Sequence, residues 1–399
     1  MYYLGIDIGK QKHVAAMLDA EGNICLKPLS FDTMGTGYQK LIFGIKSITT
    51  DKNGIRIAME ATGHYWLNIY EKLKADSYDV TVLNPLQVSS FRNQGIRGSK
   101  TDNVDSILIA RVLRFGETME TKLPESDILA LRHLTRYRTD LIQETTMAKN
   151  KIIGLLDQVF PEFSSLFSDT FGAAAMQLLK EASTPEEIID IDETTLCTIL
   201  NKASCGRLGK EQAVKIKDAA EHSFGLQTAV DAFSLQIKLI ISQIEHLKGI
   251  VAVLDKKIEQ LYAKQDLSLT TLPGVGTITA AAIIAEIENV EKFKSRSGGA
   301  AALVAFAGMD PKLKESGKYS GQVKISKRGS PYLRRAIYLA SFIAIQNDDY
   351  FRAVYDNHRQ KGKSHKVALI HVGVKMLHII YSMLKDNHPY MPKNCMEEN

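Results

Sequence analysis

The chain has 399 residues, 45% hydrophobic and 24% charged, with a formal net charge of +5; this is the composition of a soluble globular protein, too long for one ordinary core, so two or three domains are expected. Cys25, Cys197, Cys205 and Cys395 are scattered without short paired spacings, which excludes a structural zinc site and a disulfide framework and leaves ordinary reduced thiols of a cytosolic protein. No basic, apolar leader opens the chain, and the richest apolar run, AAAIIAEI at 280–287, is far too short to span a bilayer, so secretion, membrane insertion and a membrane partner are not expected.

Taken in order, YYLGIDIG at 2–9 is an apolar strand that ends near Asp7, and KHVAAMLDA at 12–20 and ICLKPLSF at 24–31 are two more strands across the EGN turn. Together they predict a three-strand meander. Tyr38 to Ile48 has helical spacing, IRIAMEATG at 55–63 holds a short strand ending at Glu60, 65–76 is a helix, and YDVTVLN at 78–84 is a strand closed by Pro85. Beyond it Val104, Ile107, Leu108 and Val112 recur at helical spacing, which puts Asp102 and Asp105 about one turn apart on one face. A meander followed by alternating helix and strand, with acids at the first strand, the fourth strand and a late helix, is the ribonuclease H arrangement. Carboxylates are costly where buried strands end, and a divalent cation removes that cost. The pattern therefore points to a magnesium site of the kind that cuts phosphodiester bonds. The bland alternative makes Asp102 a helix cap, Asp105 a solvated first-turn acid and Glu60 a surface acid. His13, His64 and Trp66 are read as packing residues without a role.

The next region is helical. Leu134, Leu141, Ala148, Ile152, Leu155 and Val159 form one seam, interrupted by Arg138 and Thr145; Ile237, Ile240, Ile244, Leu247, Val251, Leu254, Ile258 and Leu261 form another. They can pair within one chain as an antiparallel hairpin or between chains. Residues 160–230, with Pro161, STPEE at 183–187 and SCGRLGKE at 204–211, read as a small helical insertion.

LTTLPGVGTITAAAIIAEI at 269–287 has the form of a helix-hairpin-helix: a helix end, a turn through Gly274 and Gly276, then a helix opening at Thr277. Such a turn can hold a backbone phosphate on its amides; the bland reading is a tight turn between packed helices. Between Pro311 and Arg335 the bases Lys312, Lys314, Lys318, Lys324, Lys327, Arg328, Arg334 and Arg335 face one acid, Glu315. They are interleaved with glycines, with Tyr319 and Tyr332, and with Ser316, Ser320, Ser326 and Ser330. Close backbone approach, hydroxyls and concentrated positive charge favour nucleic acid over a merely solvated face.

GIDIGK, AMEATG and KTDNVDS, then LPGVGTITAAAIIAEI, FKSRSGGAAALVAFAGMDP, ESGKYSG and ISKRGSPYLRRAIY occur in this order over nearly the whole chain. In this set the sequence resembles the DEDD-type transposases of the insertion-sequence-110 family, which includes the Piv-type invertases. The resemblance implies α/β plus all-α architecture: a RuvC-like, ribonuclease H-like catalytic domain at 1–120, coiled-coil helices at 121–268 around the insertion, and a mainly helical transposase domain at 269–399. It implies Mg2+ held by Asp7, Glu60, Asp102 and Asp105, and Ser316 of the Ser-Gly motif as nucleophile, with Lys318, Lys324, Lys327 and Arg328 neutralising the phosphate backbone. On the residues alone Ser320 is nearly as good a candidate. Glu315, directly before the motif serine, is a departure that either hinders an approaching phosphate or assists deprotonation.

The implied partners are donor and target DNA, a structured guide RNA encoded by the element, and further copies of the chain, as a dimer or tetramer built through the coiled coil. A composite site joining the first domain of one subunit to the last domain of another is also implied, in a cytoplasmic, nucleoid-associated protein of a bacterium or archaeon. Three other readings stand beside it: a RuvC-like junction resolvase without serine chemistry, an actin-like ATPase, and a non-catalytic coiled-coil scaffold. The ATPase lacks its second glycine-rich phosphate loop here, and the presence of all four acids favours an enzyme.

Overall fold

The computed structural model describes residues 1–61, 63–83, 88–89, 91, 101–116, 125–265, 267–294, 298–312, 315–316, 319–320 and 324–392. The chain divides into two compact units, Met1–Leu123 and Pro124–Asn399.

The first unit is built on five strands, β1 (Tyr2–Ile8), β2 (Lys12–Leu18), β3 (Ile24–Asp32), β4 (Ile55–Glu60) and β5 (Asp79–Leu83). Their order in the sheet is β3-β2-β1-β4-β5. The meander β1-β2-β3 is antiparallel, whereas β4 lies parallel to β1 and β5 parallel to β4. Pro28 sits in β3, an edge strand, where a missing backbone donor is tolerated. Helices α1 (Gly35–Lys46) and α2 (Leu67–Ala75) supply Tyr38, Leu41, Ile45, Ile69 and Leu73 to a core shared with Leu4, Ile6 and Ile8 of β1 and Ile57 and Met59 of β4. Side chains alternate along a strand, so Tyr3, Gly5 and Asp7, with Ala58 and Glu60, point to the opposite face. Helix α3 (Asp102–Phe115) covers that face, burying Ile109, Val112 and Leu113 with Ala58 and Leu83.

Gly5 sets how close α3 comes. A Cβ on Gly5 would lie 2.2 Å from the Ser106 carbonyl oxygen and 2.4 Å from the Ala110 nitrogen, both backbone atoms that cannot swing aside. Glycine in the middle of β1 is thus a packing requirement that brings the first turns of α3 onto the strand carrying Asp7.

In the second unit, α4 (Ser126–Val159) and α9 (Val230–Tyr262) pack against each other within one chain. Ile128 and Leu131 lie with Ile258 and Leu261, Leu141 with Leu247 and Val251, and Ile152 with Ile237 and Ile241. Rising numbers on one helix meet falling numbers on the other, so the pair is antiparallel. The buried stripe departs from the expected seam at Ile241 and Leu156, which are buried where Ile240 and Leu155 are only partly so. Its cause is the insertion, α5 (Ala173–Glu181), α6 (Pro185–Asp190), α7 (Glu193–Ala203) and α8 (Lys210–Glu221), whose core includes these ends of α4 and α9. A helix packed on several neighbours buries a wider stripe than a two-helix seam does.

The rest of the unit holds α10 (Thr277–Ile287), α11 (Gly299–Phe306), the two-residue strands β6 (Pro311–Lys312), β7 (Glu315–Ser316), β8 (Tyr319–Ser320) and β9 (Lys324–Ile325), and helices α12 (Pro331–Asn347), α13 (Asp349–Gln360) and α14 (His365–Asp386). The expected helix end before the Pro-Gly-Val-Gly turn is instead a single 3-10 turn, Leu269–Thr271, because Leu269 and Leu272 turn into the core. By length and composition α14 is apolar enough to cross a membrane, a stretch that the sequence reading passed over. Here its Leu369, Val372, Met376, Leu377 and Ile380 line the core of the second unit, at the spacing of one buried helical face.

Gly5→Ala is expected to cost about 1–3 kcal/mol, the range for overpacking a tight contact, in denaturant unfolding followed through the first unit. Gly35→Ala, where an added Cβ meets nothing within 4 Å, should stay within about 0.5 kcal/mol of the parent. Equal effects at the two positions would contradict the close approach of α3 to β1.

Candidate functional site

The four acids come together on the α3 face of the first sheet. The parallel register of β1 and β4 ends at Ile6 opposite Met59, so Asp7 and Glu60 are the next residues of adjacent strands, side by side at the carboxyl ends. Open α/β sheets bind their ligands at such ends. Thr101 caps α3, its Oγ1 accepting from the Val104 N–H at 3.4 Å, and Gly116 closes the helix in the left-handed conformation. Asp102 is therefore the first helical residue and not the cap. Asp105, one turn on, is 7% exposed, beside the fully buried Ser106 that touches Gly5; it is not a solvated acid.

These carboxyls act on one another. Burial first, then the charges of Asp105, Asp102 and Glu60, push the Asp7 carboxyl up from its ordinary 3.8 to about 6. Among the described residues no three His, Cys, Asp or Glu side chains stand close enough to enclose a cation as placed. The acids form an electrostatic cluster rather than a closed cage. The donor set still fits a hard divalent cation such as Mg2+: the charged groups that act on Asp7 are all carboxylates, and such a cation favours oxygen ligands and relieves their repulsion. His13 packs edge-on against Phe31, with 5.4 Å between ring centroids, and Trp66 against Tyr70 at 5.6 Å.

The phosphate-binding candidates lie in the second unit. At Gly274, φ +82°, a Cβ would meet the Ala340 carbonyl oxygen at 2.2 Å, so this glycine serves a close approach to α12. Gly276, which precedes Thr277 at the start of α10, has nothing within 4 Å of its Cβ position. Ser316 stands in β7 opposite Tyr319 of β8, and Lys318 lies outside the described residues. The base of this region is well tied. β6 pairs with β9, the Ser326 N–H donates to the Asp310 carbonyl at 2.8 Å, and the Ser330 N–H donates to the Phe306 carbonyl at 3.0 Å. Lys324, Lys327 and Arg328 are exposed beside it, as is Arg335 on α12. Arg334 is turned inward and donates from Nη1 to the Ala307 carbonyl at 2.9 Å.

One buried acid escaped the sequence reading. Glu286, 2% exposed near the end of α10, accepts from Arg136 Nε at 2.6 Å and Nη2 at 2.9 Å, and from Ser330 Oγ at 2.6 Å. Ser330 Oγ in turn accepts from the Leu333 N–H at 3.1 Å and caps α12. Burial pushes the Glu286 carboxyl up, but Arg136, Ser330 and Arg132 outweigh it and hold the group below its ordinary value. Three helices and the exit of the basic segment thus share one carboxylate. The signal was an acid inside an otherwise apolar run, AAAIIAEI; a charge placed there needs partners.

A DEDD transposase family model of the IS110 group matches residues 4–161, and the model described as "Transposase IS116/IS110/IS902 family" matches residues 267–356. The chain is 25% identical to the 43.6 kDa protein of insertion element IS110 from Streptomyces coelicolor, over 97% of this chain and 95% of that protein. It is 22% identical to the 44.8 kDa protein of insertion element IS116 from Streptomyces clavuligerus, over 98% and 96%. The pilin gene-inverting protein of Moraxella bovis is 23% identical, over 97% of each chain.

Two measurements check this geometry. With its folded pKa near 6 against an ordinary 3.8, Asp7 holds its proton more tightly in the native state, so stability falls as pH rises through that interval. In cation-free protein Asp7→Asn should therefore raise the unfolding free energy at neutral pH by on the order of 1–2 kcal/mol, discounted for remaining solvent access. The gain should vanish in acid, below the ordinary carboxylate range; a gain independent of pH would contradict the charge cluster. Glu286→Ala should cost about 2–4 kcal/mol, less than for a fully buried pair because Arg136 keeps some access to water. A loss below about 1 kcal/mol, the level of an exposed pair, would show that the network does not hold the helices.

Proposed function

Because the chain belongs to the IS110 family of transposases and is a DNA-recombining enzyme, we propose that it cuts and rejoins DNA through the acid cluster of Asp7, Glu60, Asp102 and Asp105 together with a serine nucleophile, Ser316. The observation that carries this reading is the placement of Asp7 and Glu60 side by side at the carboxyl ends of β1 and β4, with Asp102 and the buried Asp105 in the first turn of the helix that covers that face; burial and the other three acids push the Asp7 carboxyl up in accord with it. A protein tolerates such repulsion where a cation is to be bound. The sheet order β3-β2-β1-β4-β5 with α3 across it supports a ribonuclease H-like, RuvC-like fold for residues 1–120. By the same resemblance 121–268 is the helical spacer and 269–399 the transposase domain.

Mg2+, held by the four carboxylates, would supply positive charge to the scissile phosphate and its leaving oxygen. The Ser316 hydroxyl then attacks phosphorus: an Oγ–P bond forms, the bond from phosphorus to one deoxyribose oxygen breaks, the serine proton is lost, and the leaving oxygen takes up a proton. The phosphodiester is conserved as a serine ester, so a second deoxyribose hydroxyl can reverse the step on another strand without a high-energy cofactor. Lys324, Lys327 and Arg328 hold the flanking phosphates, with Gly276 and Thr277 offering amides at the start of α10. A structured guide RNA from the element, which the resemblance implies, selects the sites. A homo-oligomer is supported by α9, where Leu235, Leu239 and Val253 remain 60%, 61% and 69% exposed after the helix has paired within its own chain.

Denaturing the protein during reaction with its DNA and mapping the adduct by mass spectrometry should find DNA joined to Ser316. Ser316→Ala and Asp7→Ala should each abolish strand cleavage, by at least about a thousandfold, and retain DNA binding. An adduct at Ser320 would reassign the nucleophile, and full cleavage by Ser316→Ala would refute serine chemistry.

A further inference from the structure

The α13–α14 hairpin carries a run of positive charge that is left largely unpaired among the described residues. From Asn357 to Lys385 the chain has no acidic residue, while Arg359, Lys361, Lys363, Lys366, Lys375 and Lys385 fall within it. Lys361, Lys363, Lys366 and Lys375 are exposed, and among the described residues none of them enters an ion pair. Some lysines elsewhere in the unit do meet an acid: Lys238 reaches Glu187 at 2.6 Å and Lys264 reaches Asp127 at 3.1 Å.

Two imidazoles sit in the middle of this field. His358 of α13 and His371 of α14 stack face to face, with centroids 3.8 Å apart and planes 1° from parallel. Burial, then Lys361, Lys363 and Lys375, lower the His358 pKa; burial, then His358 and Lys363, lower that of His371. Every charged residue acting on the pair is a cation. The turn between the helices is fixed by its own hydrogen bonds. Lys361 N–H donates to the Asn357 carbonyl at 3.2 Å, Lys363 N–H to the His358 carbonyl at 3.1 Å, and Arg359 Nη1 to the Lys363 carbonyl at 2.7 Å. Gly362, φ +74°, supplies the left-handed step. The charges are thus gathered on a preformed turn before any partner arrives, which lowers the ordering cost of binding.

We propose that this turn and the adjoining face of α14, through Lys361, Lys363 and Lys375 around the His358–His371 stack, bind the phosphate backbone of duplex DNA. The surface is separate in sequence from the basic segment that ends at Arg335. Like charges held together without acids repel, and a polyanion is the partner that turns the repulsion into affinity. Compact lysine charges suit evenly spaced phosphates. Single-stranded nucleic acid is instead gripped by stacking its bases on aromatic side chains, and here the two imidazoles stack on each other. The inference rests on the reading of the chain as an enzyme that acts on DNA, and adds where the flanking duplex lies.

The test is fluorescence anisotropy of the full chain with a duplex of about 20 base pairs and arbitrary sequence, across a salt series. Lys361→Gln/Lys363→Gln/Lys375→Gln should weaken binding at least about tenfold at low salt and reduce the slope of log K against log salt by about 2 to 3. The matching triple arginine variant should bind as the parent does. All three lysines are exposed, so thermal unfolding should be unchanged in both. If the parent binds and the glutamine variant shows the same affinity and slope, the inference is wrong and the proposed function stands. A loss confined to single-stranded RNA of equal length also overturns it. Absence of duplex binding by the parent overturns both together.

Discussion

The contact between the backbone of β1 at Gly5 and the backbone of α3 at Ser106 and Ala110 is the constraint on which the rest of the first unit depends. Any side chain at Gly5 would hold the helix off the sheet. With it seated, Asp105 is carried under cover and Asp102 is set at the first turn, near the strand ends that bear Asp7 and Glu60. Strand alternation does the rest, because Gly5 and Asp7 share a face of β1. A packing requirement and an electrostatic arrangement are thus two results of one close approach. The charge on Asp7 is destabilised as a consequence, first by loss of water and then by its three acidic neighbours. Sites that act on phosphodiesters need such concentrated negative charge to hold a divalent cation.

In the second unit a different interaction has the equivalent place. Glu286 is removed from water and answered by Arg136 from the long helix α4 and by Ser330 from the end of the basic segment. Ser330 also caps α12, so the register of that helix, the exit of the segment with Ser316 and the position of α4 are set by one carboxylate. The antiparallel pair of α4 and α9 serves as the frame on which these parts are mounted. Its apolar seam is largely used within a single chain, leaving Leu235, Leu239 and Val253 on the outer surface.

Much of the first unit was legible because its signals are local. Apolar runs marked β1 to β5, polar turns and glycines separated them, and helical spacing from Val104 placed Asp102 and Asp105 on one side of α3. What spacing could not give is depth: Asp105 is buried and Asp102 is not, a distinction that comes from the approach at Gly5. In the second unit the two seams were visible, but the shifts to Ile241 and Leu156 depend on the insertion packing against both helices, a contact between distant parts of the chain. Glu286 was hidden within the apolar stretch that made α10 look like plain core. His358 and His371 are 13 positions apart by their numbers and meet only because a tight turn folds α14 back on α13.

The titration of the Asp7 carboxyl, followed by carbon-13 NMR in selectively labelled protein, is the most direct measurement of whether the four acids form one cation-binding cluster. In cation-free protein Asp7 should titrate near pH 6, and added Mg2+ should move that titration well down toward acid, because a bound cation favours the ionised form. Titration near the ordinary carboxylate value in both conditions would mean that the acids neither repel one another nor share an ion, and would contradict the account.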